Sequence, residues 1–258
     1  MTRRSDAPDR YGTIVVVGGG CYGSYYVRQL GRAADAGAVT WERLVAVDRD
    51  PACNVAATPE LRADHRDSPG AEVIVAEWGA FFDDYLSATA DGARVDHRDA
   101  IVPSPLMPHL MVQWLIARAK ARWPTRAIAL RPLAHDPVMP WQRAGDDGTH
   151  YVSFATWMCP INCIEPATCP HTRGPRDWSM PPALAAYVEA ERATGEPIEA
   201  PILFHCVHRS HGVGMFDTGD VVGADRRIRD TATQGPAEFL VGTVSHCHGA
   251  LARLAIAG

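Results

Sequence analysis

Apolar positions in this chain fall into short unbroken runs separated by stretches of helical spacing. Ile14-Val15-Val16-Val17 stops at Gly18-Gly19-Gly20, and Leu44-Val45-Ala46-Val47 stops at Asp48. Short apolar runs bounded by glycine or an acid read as buried strands, and the segment between these two reads as a helix. The pattern continues with a strand over 73–76, a helix over 81–89, a strand over 99–102 and a helix over 105–122. In that last helix Leu106, Leu110, Trp114 and Ala117 share a face. A further strand is expected over 127–130. After a break, helical spacing returns over 182–193, strands over 201–207 and 239–244, and a closing helix over 249–257. Alternation of this kind predicts an α/β protein, a Rossmann-like, doubly wound, mainly parallel sheet with helices on both faces. Residues 1–258 are expected to form one such domain. Residues 135–180, rich in proline, cysteine and tryptophan, interrupt the pattern as a Cys-rich loop insertion.

The first strand-to-helix junction carries candidate chemistry. Gly18, Gly20 and Gly23 stand in G-x-G-x-x-G register, which allows a tight turn, close approach of a pyrophosphate, and close packing of helix on strand. Phosphates would rest on the helix N-terminus, beside Cys21, where N–H groups and the helix dipole favour anions and thiolate. Asp48, at the end of the second strand, is placed to accept ribose hydroxyls, and Ser104 follows the fourth strand as a possible ligand contact or helix cap. These residues resemble the NAD-binding domains of TrkA-type potassium-uptake regulators, where an apolar strand runs into G-G-G-x-x-G and the second strand ends in Val-Asp-Arg-Asp-Pro. Here the second motif is Val47-Asp48-Arg49-Asp50-Pro51. The likeness covers the first fifty residues and fades up to about residue 116. The third strand departs from it, being followed by Glu77 where the regulators typically have Gly-Asp. The resemblance implies NAD as ligand. Asp48 disfavours the 2′-phosphate of NADP, and Arg49 partly offsets that preference.

Composition narrows the classes. With 47% hydrophobic and 21% charged residues among 258, the chain has the makings of a globular core. A net charge of −5 argues against nucleic acid or an anionic membrane as partner. Lys120 is the only lysine, which excludes Walker-type phosphate loops and Schiff-base chemistry that do not use it. No apolar run reaches the ~20 residues of a membrane span. The polar start, Met1 to Tyr11, lacks a signal-peptide pattern, so the expected location is the cytoplasm. The expected partner is a small-molecule substrate, and the expected assembly a symmetric homodimer.

Seven cysteines in a reducing compartment favour metal ligation or free thiols over disulfides. Cys159, Cys163 and Cys169 fall within eleven positions as C-x3-C-x5-C. This spacing is neither the usual zinc knuckle nor a common ferredoxin arrangement. An iron–sulfur cluster, zinc, or a metal-free loop of thiols are the three readings. Two later strand ends add His205-Cys206-Val207-His208-Arg209-Ser210-His211 and Ser245-His246-Cys247-His248. In one parallel sheet these would share the edge of the glycine turn. Cys206 or Cys247 would then supply a fourth thiolate. His208, His211 and His248 are the candidates to move protons, with His246 as a further metal ligand or proton carrier. The function expected is an NAD(P)-dependent oxidoreductase coupling a nicotinamide to the metal site. The alternatives are a nucleotide-sensing regulatory module without catalysis and an S-adenosylmethionine-dependent methyltransferase.

Overall fold

Ile14, Val15 and Val16 are wholly shielded from solvent because their strand, β1 (Asp9–Val17), has a neighbour on either side. The computed structural model describes residues 8–90, 98–160 and 163–258; most of the polar start of the chain, and Ile161 and Asn162 of the Cys-rich run, lie outside them. Two compact units are present. Unit 1 comprises Met1–Met107 and Val207–Asp220, and unit 2 comprises Pro108–Cys206 and Val221–Gly258.

In unit 1, β1 leads into α1 (Cys21–Asp35), then β2 (Val39–Asp48), α2 (Asn54–Ala57), a 3-10 turn over Pro59–Arg62, β3 (Ala71–Val75), α3 (Trp78–Ala90) and β4 (Ala100–Val102). The four strands are parallel in the order β3-β2-β1-β4. Val27, Leu30, Ala33 and Ala34 line one face of α1 and join Ile14, Val16, Leu44 and Ala46 in a core, as helical spacing over an apolar sheet requires. The sheet is completed by a hairpin from much later in the chain, β9 (Val207–Ser210) and β10 (Val213–Asp217), with β10 antiparallel to both β9 and β4. His211 and Gly212 form its turn, both with left-handed φ, 45° and 79°. That is the conformation a two-residue hairpin turn needs to match strand twist.

Unit 2 contains α4 (Leu110–Arg122), β5 (Ile128–Arg131), β6 (Trp141–Ala144), β7 (His150–Ser153), α5 (Met180–Ala193), β8 (Ile198–His205), β11 (Ala237–Val244) and β12 (His248–Ile256). The division between units falls inside α6 (Thr218–Thr233). Its sheet runs β6-β7-β12-β11-β8, with β5 also paired to β12. Only β8 and β11 are parallel neighbours there; the other pairings are antiparallel. Met180, Leu184 and Val188 of α5 pack with Leu240, Val244 and Leu251 of the sheet.

The expected doubly wound, mainly parallel sheet is therefore wrong: the fold is mixed α/β with two six-stranded mixed sheets. The error has a local origin. Residues 249–257, expected as a helix, belong to β12, which pairs with β11 from end to end and with β7 and β5 on its other side. Both faces of β12 are buried from Ala250 to Ile256, so it shows no alternation, and Ala and Leu spacing imitates a helix. Strand pairing on both sides overrides the helical propensity of those residues. β6 and β7, within the expected insertion, are strands of the same sheet. The helix expected from 105 begins at Leu110, beyond Pro105 and Pro108, because proline disfavours helical backbone in the residue before it.

Candidate functional site

At the carboxyl end of β1 the chain turns on Gly18, whose φ is +84° and whose N–H donates to the Val47 carbonyl at 2.8 Å. A methyl group on Gly23 would meet the Gly18 carbonyl oxygen at 1.7 Å, so turn and helix touch without room for a side chain. On Gly19 it would meet the Cys53 sulfur at 2.4 Å, and Cys53 is a buried packing residue. Gly20 is different: nothing lies within 4 Å of the corresponding position. It precedes α1, which has no side-chain cap, leaving the first-turn donors that a helix offers an anion. Asp48 closes the other side. Its Oδ2 accepts the Gly19 N–H at 2.7 Å and its Oδ1 the Asp50 N–H at 2.9 Å, and each oxygen keeps a further lone pair for a hydroxyl. The Arg49 guanidinium lies 5.6 Å over the Trp78 ring, whose indole N–H donates to the Val47 carbonyl at 3.0 Å.

Chain connections diverge between β1 and β4, the place where open parallel strands leave a crevice at their carboxyl ends. Ser104 lies at that end of β4. It is buried, and its Oγ accepts the Leu106 N–H at 3.3 Å, so it shapes the turn. Phe216 stands opposite Ile101 and Asp217 opposite Ala100, so β10 starts beyond the carboxyl end of β4. The β9–β10 turn accordingly brings exposed His211 to the edge that holds the glycine turn. His208 sits opposite Gly214 within the hairpin. Nearby, burial pushes the Asp217 carboxyl up, but hydrogen bonds from Arg209 and Arg98 outweigh it and hold the group below its ordinary range. Cys21 is exposed at the first position of α1.

A second constellation lies in unit 2. β8 and β11 run parallel with His205 opposite Val244, and the Cys206 N–H donates to the Val244 carbonyl. Their carboxyl ends therefore coincide, though in a sheet separate from that of the glycine turn. The expected gathering of all strand ends at one sheet edge does not hold, because the run from His205 to His211 divides between the units after Cys206.

The turn between β11 and β12, Ser245 to His248, meets the Cys-rich loop. Phe154 donates its N–H to the Cys247 carbonyl at 2.9 Å and Met180 to the His246 carbonyl at 3.0 Å, fastening both ends of the loop. Between them Glu165, a residue that sequence reading passed over, reaches into the turn. Its carboxylate accepts the Ser245 hydroxyl at 2.6 Å and the N–H groups of His246 and Cys247 at 2.9 and 3.0 Å. Glu165 is buried with a left-handed φ of 48°, and a carboxylate supplied with three donors is a strong anchor. Its signal was its position as the single acid between Cys159 and His171. Arg176 braces the loop further, donating to the carbonyls of Glu165, Pro166 and Trp178.

Cys247 is buried and its sulfur accepts the Trp178 indole N–H at 3.2 Å. Burial above all pushes its thiol up to about 12, with Glu165 and Cys159 adding to the rise. Cys159 is likewise raised, first by burial and then by the neighbouring Cys163, with Cys169 and Glu165 contributing. Cys169 moves the opposite way, because the backbone N–H groups of Thr172, first, and of His171 favour its thiolate. Cys206 turns its thiol toward the Phe204 carbonyl instead. His246 accompanies the cluster, its Nδ1 2.8 Å from the Ser179 hydroxyl and its ring edge-on to His205 at 4.7 Å. Burial, then Arg176, holds it below its ordinary range. His248 points its Nδ1 to Ser153 at 3.0 Å. None of the seven cysteines forms a disulfide. Among the described residues, no three His, Cys, Asp or Glu side chains stand so as to hold a metal ion, and no helix is long and apolar enough to cross a membrane.

Residues 111–257 match the model of a family described as "Uncharacterized protein, C-terminal domain". That range includes the Cys-rich loop and the β11–β12 turn, while the glycine turn precedes it. No curated protein and no solved structure matches the chain.

Proposed function

The chain belongs to the AF_1314_C family, and we propose that it binds NAD(H) at the glycine turn of unit 1, which precedes the family-matched residues, and acts as an NAD(H)-dependent oxidoreductase on a small-molecule substrate. The observation that carries this reading is the junction of β1 with α1, where Gly20 is open, the helix start is uncapped, and the Asp48 carboxylate stands across the turn. These features fit the group they are asked to hold. Gly18 and Gly23 let the backbone fold back on itself, Gly20 offers a surface without a side chain to a pyrophosphate, and Asp48 receives the adenosine ribose. A carboxylate at that position favours NAD over NADP, and Arg49 is already drawn over Trp78. The bound nicotinamide supplies hydride chemistry. His211, on the same sheet edge, is the residue proposed to exchange a proton with the substrate, since an imidazole ring carries both a donor and an acceptor nitrogen.

Calorimetry with NAD+ and NADH tests the reading, using NADP+ and S-adenosylmethionine as comparators. Wild-type chain is expected to take up NADH, and Asp48→Ala to lose about tenfold in affinity, the worth of one hydrogen bond to a charged group. Binding of S-adenosylmethionine in place of NADH, or a Kd untouched by Asp48→Ala, would sink it. His211→Gln should leave NADH affinity unchanged while slowing NADH oxidation by a small electron acceptor.

A further inference from the structure

We propose that a cavity at the end of β5 binds a small monocarboxylate with a short apolar body, its carboxylate received by Arg131 and Arg253. Every residue that lines this cavity belongs to unit 2, so the proposal stands apart from the nucleotide reading.

The cavity arises from a break in the sheet. β5 pairs with β12 from Arg253 to Ile256 and β7 pairs with it from His248 to Leu251, both along the edge that β11 leaves free. Ala252 falls between the two pairings. There the end of β5, the start of β7 and the β6–β7 turn leave a cavity of 250 Å3. That is just below the roughly 300–1,000 Å3 of sites for drug-sized ligands, so the molecule that fits is smaller. Leu130, Pro132, Leu133 and Leu251 give it an apolar lining, which favours a hydrocarbon body over a bare ion. Sequence spacing alone conceals the site, because its two arginines stand on β5 and β12, at opposite ends of unit 2 in the chain.

The charged lining selects the ligand. Arg131 and Arg253 are register partners on neighbouring strands, which puts both side chains on one face of the sheet. Glu238 of β11 holds the pair: its Oε1 accepts from Arg131 Nη1 at 2.9 Å and its Oε2 from Arg253 Nε at 2.6 Å. Glu196 accepts from Arg253 Nη2 at 2.6 Å. A guanidinium carries more N–H donors than these bonds use, so the glutamates fix both arginines and leave donors over for a ligand. A carboxylate matches that planar fork. The same glutamates balance the charge of the pair, and exposed Asp136 adds a carboxylate to the lining, 3.8 Å from His150 Nε2. A monoanion therefore meets less opposing charge here than a dianion such as phosphate.

The test uses the full chain with its leucine methyl groups labelled for NMR, and butyrate as the probe. Saturable shifts are expected at Leu133 and Leu251 with a Kd of about 1 mM, a scale suited to a ligand of few atoms. Butyramide, the neutral amide of the same shape, should leave both leucines unmoved. Arg131→Gln should weaken butyrate about tenfold, the worth of one hydrogen bond to a charged group, and leave NADH affinity unchanged. Asp136→Asn should tighten butyrate about twofold, because it removes a like charge from an exposed position. Circular dichroism identifies an Arg131→Gln chain that fails to fold, and in that case the direction of the Asp136→Asn effect decides. Wild-type leucines unmoved by butyrate, equal binding of butyramide, or a Kd untouched by Arg131→Gln in a folded chain would overturn the proposal. Inorganic phosphate binding more tightly than butyrate at the same leucines would overturn its monocarboxylate form in favour of a site for bare anions.

Discussion

Gly20 and Gly23 are three residues apart, and a methyl group on each has opposite consequences. On Gly23 it strikes the Gly18 carbonyl, whereas on Gly20 it enters open space. Gly23→Ala is therefore expected to cost about 3 kcal/mol of stability, the upper range for overpacking against backbone, as read by urea denaturation. Gly20→Ala should leave the urea midpoint nearly unchanged and yet weaken NADH binding, which separates a packing glycine from a ligand-facing one. Cys247 offers a second test at this scale. Its thiol is pushed from 9.0 up to about 12 in the folded chain, so between those values the unfolded chain loses a proton that the native chain keeps. Stability from this group is complete below pH 9 and falls as pH rises above it. Denaturation midpoints of wild type should thus decline more steeply above pH 9 than those of Cys247→Ala. Gly18, Gly23, Asp48 and the loop cysteines were legible as residues because glycine, acid and thiol have few substitutes in such settings. Glu165 was not, since an isolated glutamate in a sequence gives no sign of three donors waiting in a distant turn.

At the scale of elements, the Cys-rich loop is held to the β11–β12 turn mostly by polar contacts, and Glu165 sits at their centre. Removing its carboxylate by Glu165→Ala takes the acceptor from the His246 N–H and leaves the Cys247 N–H only the Ser245 hydroxyl at 3.2 Å. The expected cost is about 3 kcal/mol, from the penalty for buried unsatisfied donors. Limited proteolysis should show it first, as faster cleavage between Cys159 and Trp178 than in wild type; equal cleavage rates would mean that the loop is held by something else. The elements themselves were unevenly legible. β1, β2, α1 and α5 were readable because one-sided burial or a clean apolar run leaves a periodic mark. β12 was not, because a strand enclosed by pairing partners and buried on both faces has no alternation to read. That one strand, taken for a helix, turned a mixed sheet into an expected parallel one.

On the scale of the whole molecule, the β9–β10 hairpin leaves unit 2 in sequence and completes the sheet of unit 1. The proposed nucleotide site is thus built from residues of unit 1, and hydrogen exchange should map it there. NADH is expected to slow exchange at the β1–α1 junction and around Asp48, and to leave the Cys-rich loop and the β11–β12 turn as they are. Binding of this kind stabilises whatever structure holds the ligand, by an amount set by its concentration relative to Kd. Protection by NADH at the Cys-rich loop without protection of the glycine turn would refute the assignment of the nucleotide to unit 1.

The sequence by itself determined the local chemistry: a glycine turn between strand and helix, an acid ending the next strand, and three thiols crowded into one loop. Such features depend on residues near one another in the chain, where steric and hydrogen-bonding rules act over a few positions. Only the tertiary structure decided that the later strands form a separate mixed sheet, that Trp178 of the loop donates to the Cys247 sulfur, and that Glu165 fastens the loop to the β11–β12 turn. Those outcomes rest on strand pairing and hydrogen bonds between distant segments, whose partners are chosen by the packing of the whole chain and leave no mark in local spacing.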